Sequence, residues 1–310
     1  MKRLRFVVSL TTTENDYQME QSRAADDAGR KLGVDLQIIY ADNDTITQSQ
    51  QLLNIIQSRS DSHPDGILFE PVGGTALPQV GKAAVAAGIA WVVLNREIEY
   101  VSDLRKAYRV PIFTVAADHE EVGHIQARQV AALLPKGGSI LYIEGPSENY
   151  AAKHRTVGFY EAKPQNIQVK SIRGQWTEAS AHKAISSWLR LSTSRQTRID
   201  AIIAQNDAMA VGARKAFQEI SEIRDRDRWL HLPYTGVDGV PKTGQAWVKS
   251  GLLAATVVVP TNTDMGLEML VRAVQTGVQP PERSLSTPRS FPSVEDLARA
   301  HAEKSRASSV

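Results

Sequence analysis

Short apolar runs alternate with helix-like segments along most of the chain. Leu4–Leu10 predicts a strand, and Asn15–Leu32 predicts a helix that ends at Gly33 in a left-handed cap. Strand, helix and strand at this spacing indicate right-handed βαβ crossovers and a parallel sheet. Further strands are predicted over Val34–Tyr40, Gly66–Phe69, Ile89–Leu94, Ile112–Val115, Ser139–Ile143, Ile167–Ile172, Ile199–Ala204, His231–Val237 and Ala254–Val259. Further helices are predicted over Thr45–Ser58, Thr75–Ala87, His119–Leu134, Asn149–Glu161, Thr177–Leu191, Asp207–Ile220, Val240–Ser250, Thr263–Thr276 and Val294–Ser305.

The alternation is interrupted around Asp103–Pro111 and then starts again with the same architecture. Such a repeat predicts two doubly wound α/β domains rather than one very large sheet, and 310 residues suit two lobes of about 150 residues each. The Pro- and Ser-rich stretch Gln279–Pro292 is suited to cross back between the lobes. Ser293 with Asp296 predicts the cap of the last helix.

Charge and cysteine content exclude several classes of protein. The formal net charge of +2 gives no global attraction to nucleic acid or to an anionic membrane. Arg224, Arg226 and Arg228 alternate with two aspartates, which predicts a solvated loop. The chain has no cysteine, so disulfides, thiolate metal sites and cysteine nucleophiles are excluded.

The N-terminal segment lacks the features of a secretory signal. The apolar stretch that follows Met1–Phe6 is too short for the core of a signal peptide and leads into polar residues. No run approaches the roughly 20 apolar residues of a membrane span. Two locations are therefore open, the cytoplasm or the periplasm after removal of a signal.

Motifs of nucleotide-dependent enzymes and of serine hydrolases are absent from the sequence. His119 and His124 are five positions apart rather than four, which argues against a zinc-protease helix and favours a solvated helix start. Glu70 and Asp118 are carboxylates, but no motif or spacing in the sequence pairs them as a catalytic acid and base. We therefore expect no enzyme activity, no cofactor and no metal.

Polar loops follow the apolar runs, at the strand ends where parallel α/β sheets bind ligands. Sugar recognition needs planar hydrogen-bonding groups for adjacent hydroxyls and an aromatic face for the C–H side of the ring. Such groups are Asn15, Tyr17, Asn95 and Arg96 in the first half and Lys153, Trp176, Asn206 and Asp238 in the second.

Structural roles are an alternative for residues of these types. An Asn or Asp after a strand is most often a helix N-cap, which is the expectation for Asp44 and Asp207. Trp91 lies inside the apolar run of a strand and is expected in the core, whereas Trp176 lies in a loop between a strand and a helix.

The order of several motifs resembles the ribose-binding branch of the type I periplasmic binding proteins, over about residues 3–292. The most specific are the Ala-Gln-Asn-Asp block of Ile202–Ala213 and the Gly-Val-Asp-Gly turn of Thr235–Gly239, in this order. The other matching segments are the polar loop with Asn15 and an aromatic, Ala41–Asp44, Gly88–Arg96, Ala116–Gly123, Ala151–Phe159 and Ser250–Val257.

The resemblance implies two Rossmann-like lobes joined by a multi-strand hinge. One lobe would contain residues 1–116 and about 260–283, and the other residues 117–259 and about 284–310. It implies the substrate-binding component of an ABC-type sugar uptake system, which closes on one sugar or polyol at the hinge. It also implies a membrane permease as partner, a periplasmic location, a monomer and no contact with nucleic acid.

The resemblance further implies roles for the candidate residues. In the first lobe, Asn15 would bond sugar hydroxyls and Tyr17 would lie against the ring, with Asn95 and Arg96 bonding other oxygens. In the second lobe, Trp176 would stack on the sugar, and Asn206 and Asp238 would bond the remaining hydroxyls. Lys153 occupies a position that is usually arginine.

The chain departs from the family pattern at several of these positions. Asn95 stands where aspartate is usual, and it can donate as well as accept. Gln18 and Val237 stand where aromatic residues are common, and an apolar stretch near Val259–Thr261 replaces an expected amide. These differences predict a pocket with fewer aromatic residues, so the resemblance names no particular sugar.

A cytoplasmic sugar sensor is the alternative function on the same fold. Repressors of the LacI type carry this two-lobe core behind a DNA-binding headpiece. Here the first strand begins within a few residues of Met1, so we expect no headpiece. Such a sensor would act on a partner protein instead of DNA.

Overall fold

The computed structural model describes residues 3–58, 63–73 and 76–307, with the side chains of 195–196 and 304–307 excepted. The chain divides into two units, Met1–Ala117 with Pro260–Ser286 and Asp118–Val259 with Thr287–Val310. It therefore passes between the units three times. Two of these crossings follow strands that end at Ala117 and Ser286, slightly later in the chain than the boundaries of 116 and 283 expected from the sequence.

Each unit is built on a mainly parallel sheet with helices beside it. The described strands are β1 (Arg5–Leu10), β2 (Asp35–Tyr40), β3 (Gly66–Phe69), β4 (Ala90–Leu94), β5 (Ile112–Ala117), β6 (Gly138–Glu144), β7 (Ile167–Arg173), β8 (Ala201–Ala204), β9 (Tyr234–Asp238), β10 (Ala255–Val258), β11 (Arg283–Ser286) and β12 (Arg289–Phe291). The described helices are α1 (Asp16–Leu32), α2 (Thr45–Ile56), α3 (Pro78–Ala86), α4 (Tyr100–Ala107), α5 (His119–Leu133), α6 (Tyr150–Ala162), α7 (Glu178–Leu189), α8 (Ser192–Gln196), α9 (Asp207–Gln218), α10 (Ile223–Leu230), α11 (Gly244–Lys249), α12 (Thr263–Thr276) and α13 (Val294–Ala307).

The two sheets share one topology. Among the described strands, the first sheet has the order β11-β5-β4-β3-β1-β2 and all its neighbours are parallel. The second has the order β12-β10-β9-β8-β6-β7, in which β12 alone runs antiparallel to its neighbour. This confirms the predicted doubly wound α/β class. The strand order reverses between β1 and β3 in one unit and between β6 and β8 in the other, which is where such sheets bind ligands.

Apolar packing and helix caps fix the elements that the sequence predicted. β3 and β4 are buried along their whole length, and the fully buried Trp91 packs 4.5 Å from Phe69 between ring centroids. Trp91 is therefore a core residue, as predicted. Gly33 ends α1 with a φ of 67°, and the Ser293 hydroxyl accepts the backbone N–H of Asp296 at the start of α13.

Two helices contradict the sequence analysis. Tyr100–Ala107 is a helix where the pattern is interrupted, and it buries only Val101 and Leu104, too few positions to show a helical period. Ile223–Leu230, predicted as a loop, is a helix that buries Trp229 and leaves its charged residues toward solvent.

Some predicted boundaries also shift. The strand predicted from His231 begins at Tyr234, because His231 belongs to the end of helix α10. The helix predicted from Thr75 begins at Pro78, and Thr75 itself lies outside the described residues. In the part of the chain that the structure describes, no helix has the length and apolar character needed to cross a membrane.

Candidate functional site

Asn15 stands at the carboxyl end of β1, beside the point where the order of the first sheet reverses. Its side-chain Oδ1 accepts hydrogen bonds from the backbone N–H groups of Tyr17 (2.9 Å) and Gln18 (3.2 Å). The bonds cap α1 by satisfying donors that have no partner inside the helix. The oxygen of Asn15 thus serves the fold as the cap of α1.

Tyr17 is buried in the first turn of α1, with 6% of its surface exposed. Its hydroxyl donates a 3.0 Å hydrogen bond to the backbone oxygen of Pro260, the residue at which the chain re-enters the first unit. Packing and this bond together hold the ring in one position.

Gln18, Glu70 and Asn95 form a hydrogen-bonded chain across the strand ends of the first unit. Gln18 Nε2 donates to one oxygen of the Glu70 carboxylate at 2.8 Å, and Asn95 Nδ2 donates to the other at 3.1 Å. Asn95 Oδ1 accepts from Asn262 Nδ2 at 3.4 Å. Both amides thus point their nitrogens toward the Glu70 carboxyl group.

Asn95 and Arg96 follow β4 in an unusual backbone conformation. Asn95 has a φ of 57°, in the left-handed region that Asn tolerates better than most residues. The half-buried Arg96 donates from Nη1 to the backbone oxygen of Gly73 at 2.6 Å. Asn262 directly follows the apolar stretch near Val259–Thr261, and its Oδ1 accepts from the Ser286 hydroxyl at 3.0 Å.

Trp176 follows β7 in the second unit with a φ of 64°, which is strained for a bulky residue. Asn206 Nδ2 donates a 2.8 Å hydrogen bond to the Trp176 backbone oxygen. The ring packs directly on the Gly145 backbone, since a Cβ there would lie 2.3 Å from it. Asn206 also caps α9 by accepting the Met209 N–H at 2.9 Å, so it positions Trp176 as well as the helix.

Arg155 is a buried cation at the same edge of the second unit, and the sequence analysis did not select it. It is 4% exposed, and its Nη1 donates to the Gln205 backbone oxygen at 2.5 Å. Its Nη2 lies 3.8 Å from Asp238 Oδ1, and its Cζ lies 5.5 Å from the Trp176 ring centroid, within cation–π range. Its Nε is buried without a hydrogen-bond partner among the described residues.

Lys153 is separated from the other candidates. It is exposed, and its ammonium lies 3.4 Å from the Glu148 carboxylate. Ala151, Arg155 and Phe159 share the buried stripe of α6 at a spacing of four, while Lys153 falls between its members. That helical spacing is the sequence signal that distinguishes Arg155 from Lys153.

Asp238 ends β9 in a strained turn beside a second carboxyl group. Its φ is 101°, and the next residue, Gly239, has a φ of 58°. Asp207 was expected to cap α9, but Asn206 is the cap and Asp207 is the first helical residue. Burial, followed by the charge of Asp238, raises the pKa of Asp207 well above its ordinary value.

Two sets of side chains result, one in each unit. The first polar group consists of Asn15, Tyr17, Gln18, Glu70, Asn95 and Arg96. The second polar group consists of Arg155, Trp176, Asn206 and Asp238. Each combines donors, acceptors and an aromatic ring. No group of three His, Asp or Glu side chains in the described ranges is arranged to hold a metal ion.

A family model for the periplasmic binding protein domain matches residues 6–277. The chain belongs to the periplasmic binding protein family. The match confirms the resemblance seen in the sequence, and the family is one of substrate-binding proteins. It therefore favours the binding-protein interpretation over the cytoplasmic sensor.

Curated relatives of this periplasmic binding protein are named for the ligands they bind. A protein of Rhizobium meliloti named as rhizopine-binding is 31% identical over 198 residues, which are 62% of this chain and 60% of the relative, less than two thirds of its length. The D-allose-binding periplasmic protein of Escherichia coli (strain K12) is 27% identical over 275 residues, covering 88% of this chain and 85% of that protein.

Solved structures show the same fold. A periplasmic solute binding protein of an ABC transporter from Actinobacillus succinogenes 130z, with bound D-allose, has a TM-score of 0.80 and 19% identity. The superposition covers 96% of this chain and all of that one (100%). At this identity the likeness concerns the fold alone, and it confirms the pair of mainly parallel α/β sheets.

Proposed function

We propose that this periplasmic binding protein binds a monosaccharide or polyol as the substrate-binding component of an ABC-type uptake system, and that the second polar group contacts this ligand. The observation that carries the proposal is Arg155. Its guanidinium is 4% exposed, lies 3.8 Å from Asp238 Oδ1 and packs 5.5 Å from the Trp176 ring centroid. A buried cation beside a carboxylate and an aromatic face suits the hydroxyls and the C–H face of a sugar ring.

The second polar group offers what one face of a sugar requires. Trp176 supplies an aromatic face for ring C–H groups, while Arg155 donates and Asp238 accepts hydrogen bonds from adjacent hydroxyls. Asn206 contributes mainly by holding Trp176. Lys153 has no part in this group, and Arg155 takes the role that the resemblance gave to position 153.

The first polar group supplies hydroxyl-bonding groups of mixed character. The Asn15 nitrogen, Asn95 and Arg96 bond sugar oxygens, and Tyr17 packs against the ring. Glu70 provides the carboxylate that an aspartate at position 95 would otherwise provide, since it is bonded to the Asn95 amide. The D-allose-binding relative agrees with a ligand that carries several hydroxyls.

The finer parts of the proposal are location, partner and mechanism. The protein acts as a monomer in the periplasm, catalyses no reaction and delivers its ligand to a membrane permease. The ligand stabilises whichever conformation it binds more tightly. A micromolar affinity, about −8 kcal/mol, is within reach of several hydrogen bonds at about 1 kcal/mol net each with ring stacking.

Thermal unfolding against a panel of pentoses, hexoses, deoxysugars and inositols tests the proposal. A ligand at about a thousand times its Kd adds about 4 kcal/mol of stability, a shift of several degrees. We expect one class of sugar to raise the Tm of the wild type and, at the same concentration, to raise that of Arg155→Met by about half as much or less. A panel without any shift would contradict sugar binding, and an equal shift in Arg155→Met would contradict the assigned site.

A further inference from the structure

Asp207 is a buried carboxylate next to the second polar group that has no contact role in the proposed function. It is 4% exposed and accepts two hydrogen bonds, from the Thr256 hydroxyl at 2.7 Å and from the Gly239 backbone N–H at 2.8 Å. The second bond holds the residue that directly follows Asp238. Asp207 is therefore linked to the sugar-binding carboxylate through a single peptide.

The space around this carboxylate is kept clear by glycines. A Cβ at Gly236, in β9, would lie 2.1 Å from one carboxylate oxygen of Asp207, and a Cβ at Gly244, in α11, would lie 2.0 Å from the other. Neither position tolerates a larger residue while Asp207 stays in place. The neighbouring backbone is thus shaped around Asp207, which gives its carboxylate a fixed position.

The turn that Asp207 holds contains one strained residue. Asp238 and Gly239 have φ values of 101° and 58°, and such a φ is uncommon for an aspartate. Strained conformations persist where surrounding bonds determine them. Here Asp207 holds the Gly239 N–H, and Gln245 Nε2 donates to the Gly239 oxygen at 2.7 Å.

We propose that Asp207 is a positioning residue: through its bond to the Gly239 N–H it fixes the direction in which Asp238 presents its carboxylate to the sugar. This inference rests on the proposed function, because Asp238 is its binding group. It assigns Asp207 an effect on affinity that is exerted entirely through Asp238.

A double-mutant cycle on affinity tests the assignment, with D-allose, D-ribose and myo-inositol as probes. Asp207→Ala should weaken binding of the best probe about tenfold or more, but by less than about twofold when Asp238 is already alanine. Asp207→Asn keeps an oxygen for the Gly239 N–H and should stay within about threefold of wild type. Thr256→Val, which removes the other bond, is the matched control and should leave affinity nearly unchanged.

Equal losses for Asp207→Ala in both backgrounds, or a loss for Asp207→Asn as large as for Asp207→Ala, would overturn the assignment. Asp207→Ser, whose hydroxyl is too short to reach Gly239, replaces the alanine variant if that variant does not fold. Hydrogen exchange of the Gly239 amide in the sugar-free protein gives a second readout. Exchange should accelerate in Asp207→Ala or Asp207→Ser and not in Asp207→Asn. Unchanged protection of the Gly239 amide in Asp207→Ala would overturn the inference, whether or not a probe binds. Failure of every probe to bind the wild type would contradict only the proposed function.

Discussion

The guanidinium carbon of Arg155 lies 5.5 Å from the centroid of the Trp176 ring, so the cation and the aromatic face of the second polar group pack against each other. Arg155 reaches this place because α5 and α6 touch: a Cβ at Gly123 would lie 2.2 Å from the Arg155 backbone oxygen. Packing between the two helices thus holds the Arg155 backbone in place. A side chain on the exposed face of α6, such as that of Lys153, is not positioned in this way.

Replacing Arg155 should weaken sugar binding strongly, and replacing Lys153 should not. Arg155→Met removes charge-assisted hydrogen bonds worth about 2 kcal/mol, so we expect affinity to fall about 30-fold or more. Lys153→Met, on the same helix, removes only an exposed ion pair with Glu148 and should keep affinity within about twofold. Isothermal titration of both variants with the best-bound sugar measures the difference, and equal losses would contradict the assignment of Arg155.

Replacing Asn95 by aspartate should lower the free energy of unfolding of this protein. Asn95 donates to Glu70 at 3.1 Å, so Asn95→Asp places two carboxylates together and should cost about 1–2 kcal/mol of unfolding free energy near pH 8. Their repulsion raises the pKa of one carboxyl, so stability lost at high pH should return as the pH falls toward about 5. Urea unfolding measures this.

Glu70→Gln provides the matched control for that variant. Combined with Asn95→Asp it leaves one carboxylate facing one amide, with the two groups exchanged, and should recover most of the lost stability. A double variant as unstable as Asn95→Asp alone would show that the bond between the two side chains does not cause the loss.

A methyl group at Gly145 should weaken sugar binding by displacing Trp176. The added Cβ would lie 2.3 Å from the ring, so the indole must move from the position that Asn206 and Arg155 hold. We expect affinity to fall about tenfold in Gly145→Ala, comparable with the loss of about 1.4 kcal/mol of ring contact. Gly29→Ala, where the Cβ would meet the Leu36 side chain at 3.3 Å in the other unit, should bind like wild type.

His124 should make the protein more stable in mild acid. Partial burial lowers the pKa of His124, but hydrogen bonds to Glu161 and Glu121 outweigh it and raise the pKa overall. A raised folded-state pKa means stability that is present below the unfolded value of about 6.5 and is lost as the pH rises through the folded value. In urea unfolding, His124→Gln should lose part of the gain seen between about pH 8 and pH 6.

The magnitude expected for this histidine is small. The His124 side chain is 29% exposed and lies 3.1 Å from Glu161, so its pairs should contribute about 0.5 kcal/mol. An identical pH profile for wild type and His124→Gln would contradict the prediction.

Local signals were enough to predict most of the fold. The apolar runs of β3 and β4, the Asp44 cap and the Gly33 terminator are all properties of a few neighbouring residues, and the structure confirms each. Helices α4 and α10 were missed because each buries too few residues to show a period. Their stability depends on contacts with distant parts of the chain.

The candidate site was predictable only in part. Loops after parallel strands could be found from the sequence, and with them Asn95, Trp176 and Asp238. Asn15 and Asn206 were found as well, but much of their hydrogen-bonding capacity serves helix caps and the Trp176 carbonyl. The pattern of strands and helices in the sequence does not reveal which groups accept or donate these hydrogen bonds.

Two doubly wound α/β units and membership of the periplasmic binding protein family could be predicted from the sequence, because periodicity, caps and motif order are local and sequential. The tertiary structure was needed to show that Arg155 and not Lys153 lies against Trp176, and that the Glu70 carboxyl group lies beside Asn95. Those choices depend on which helix face is buried and on which strand ends are neighbours, and both are set by packing between segments far apart in the chain.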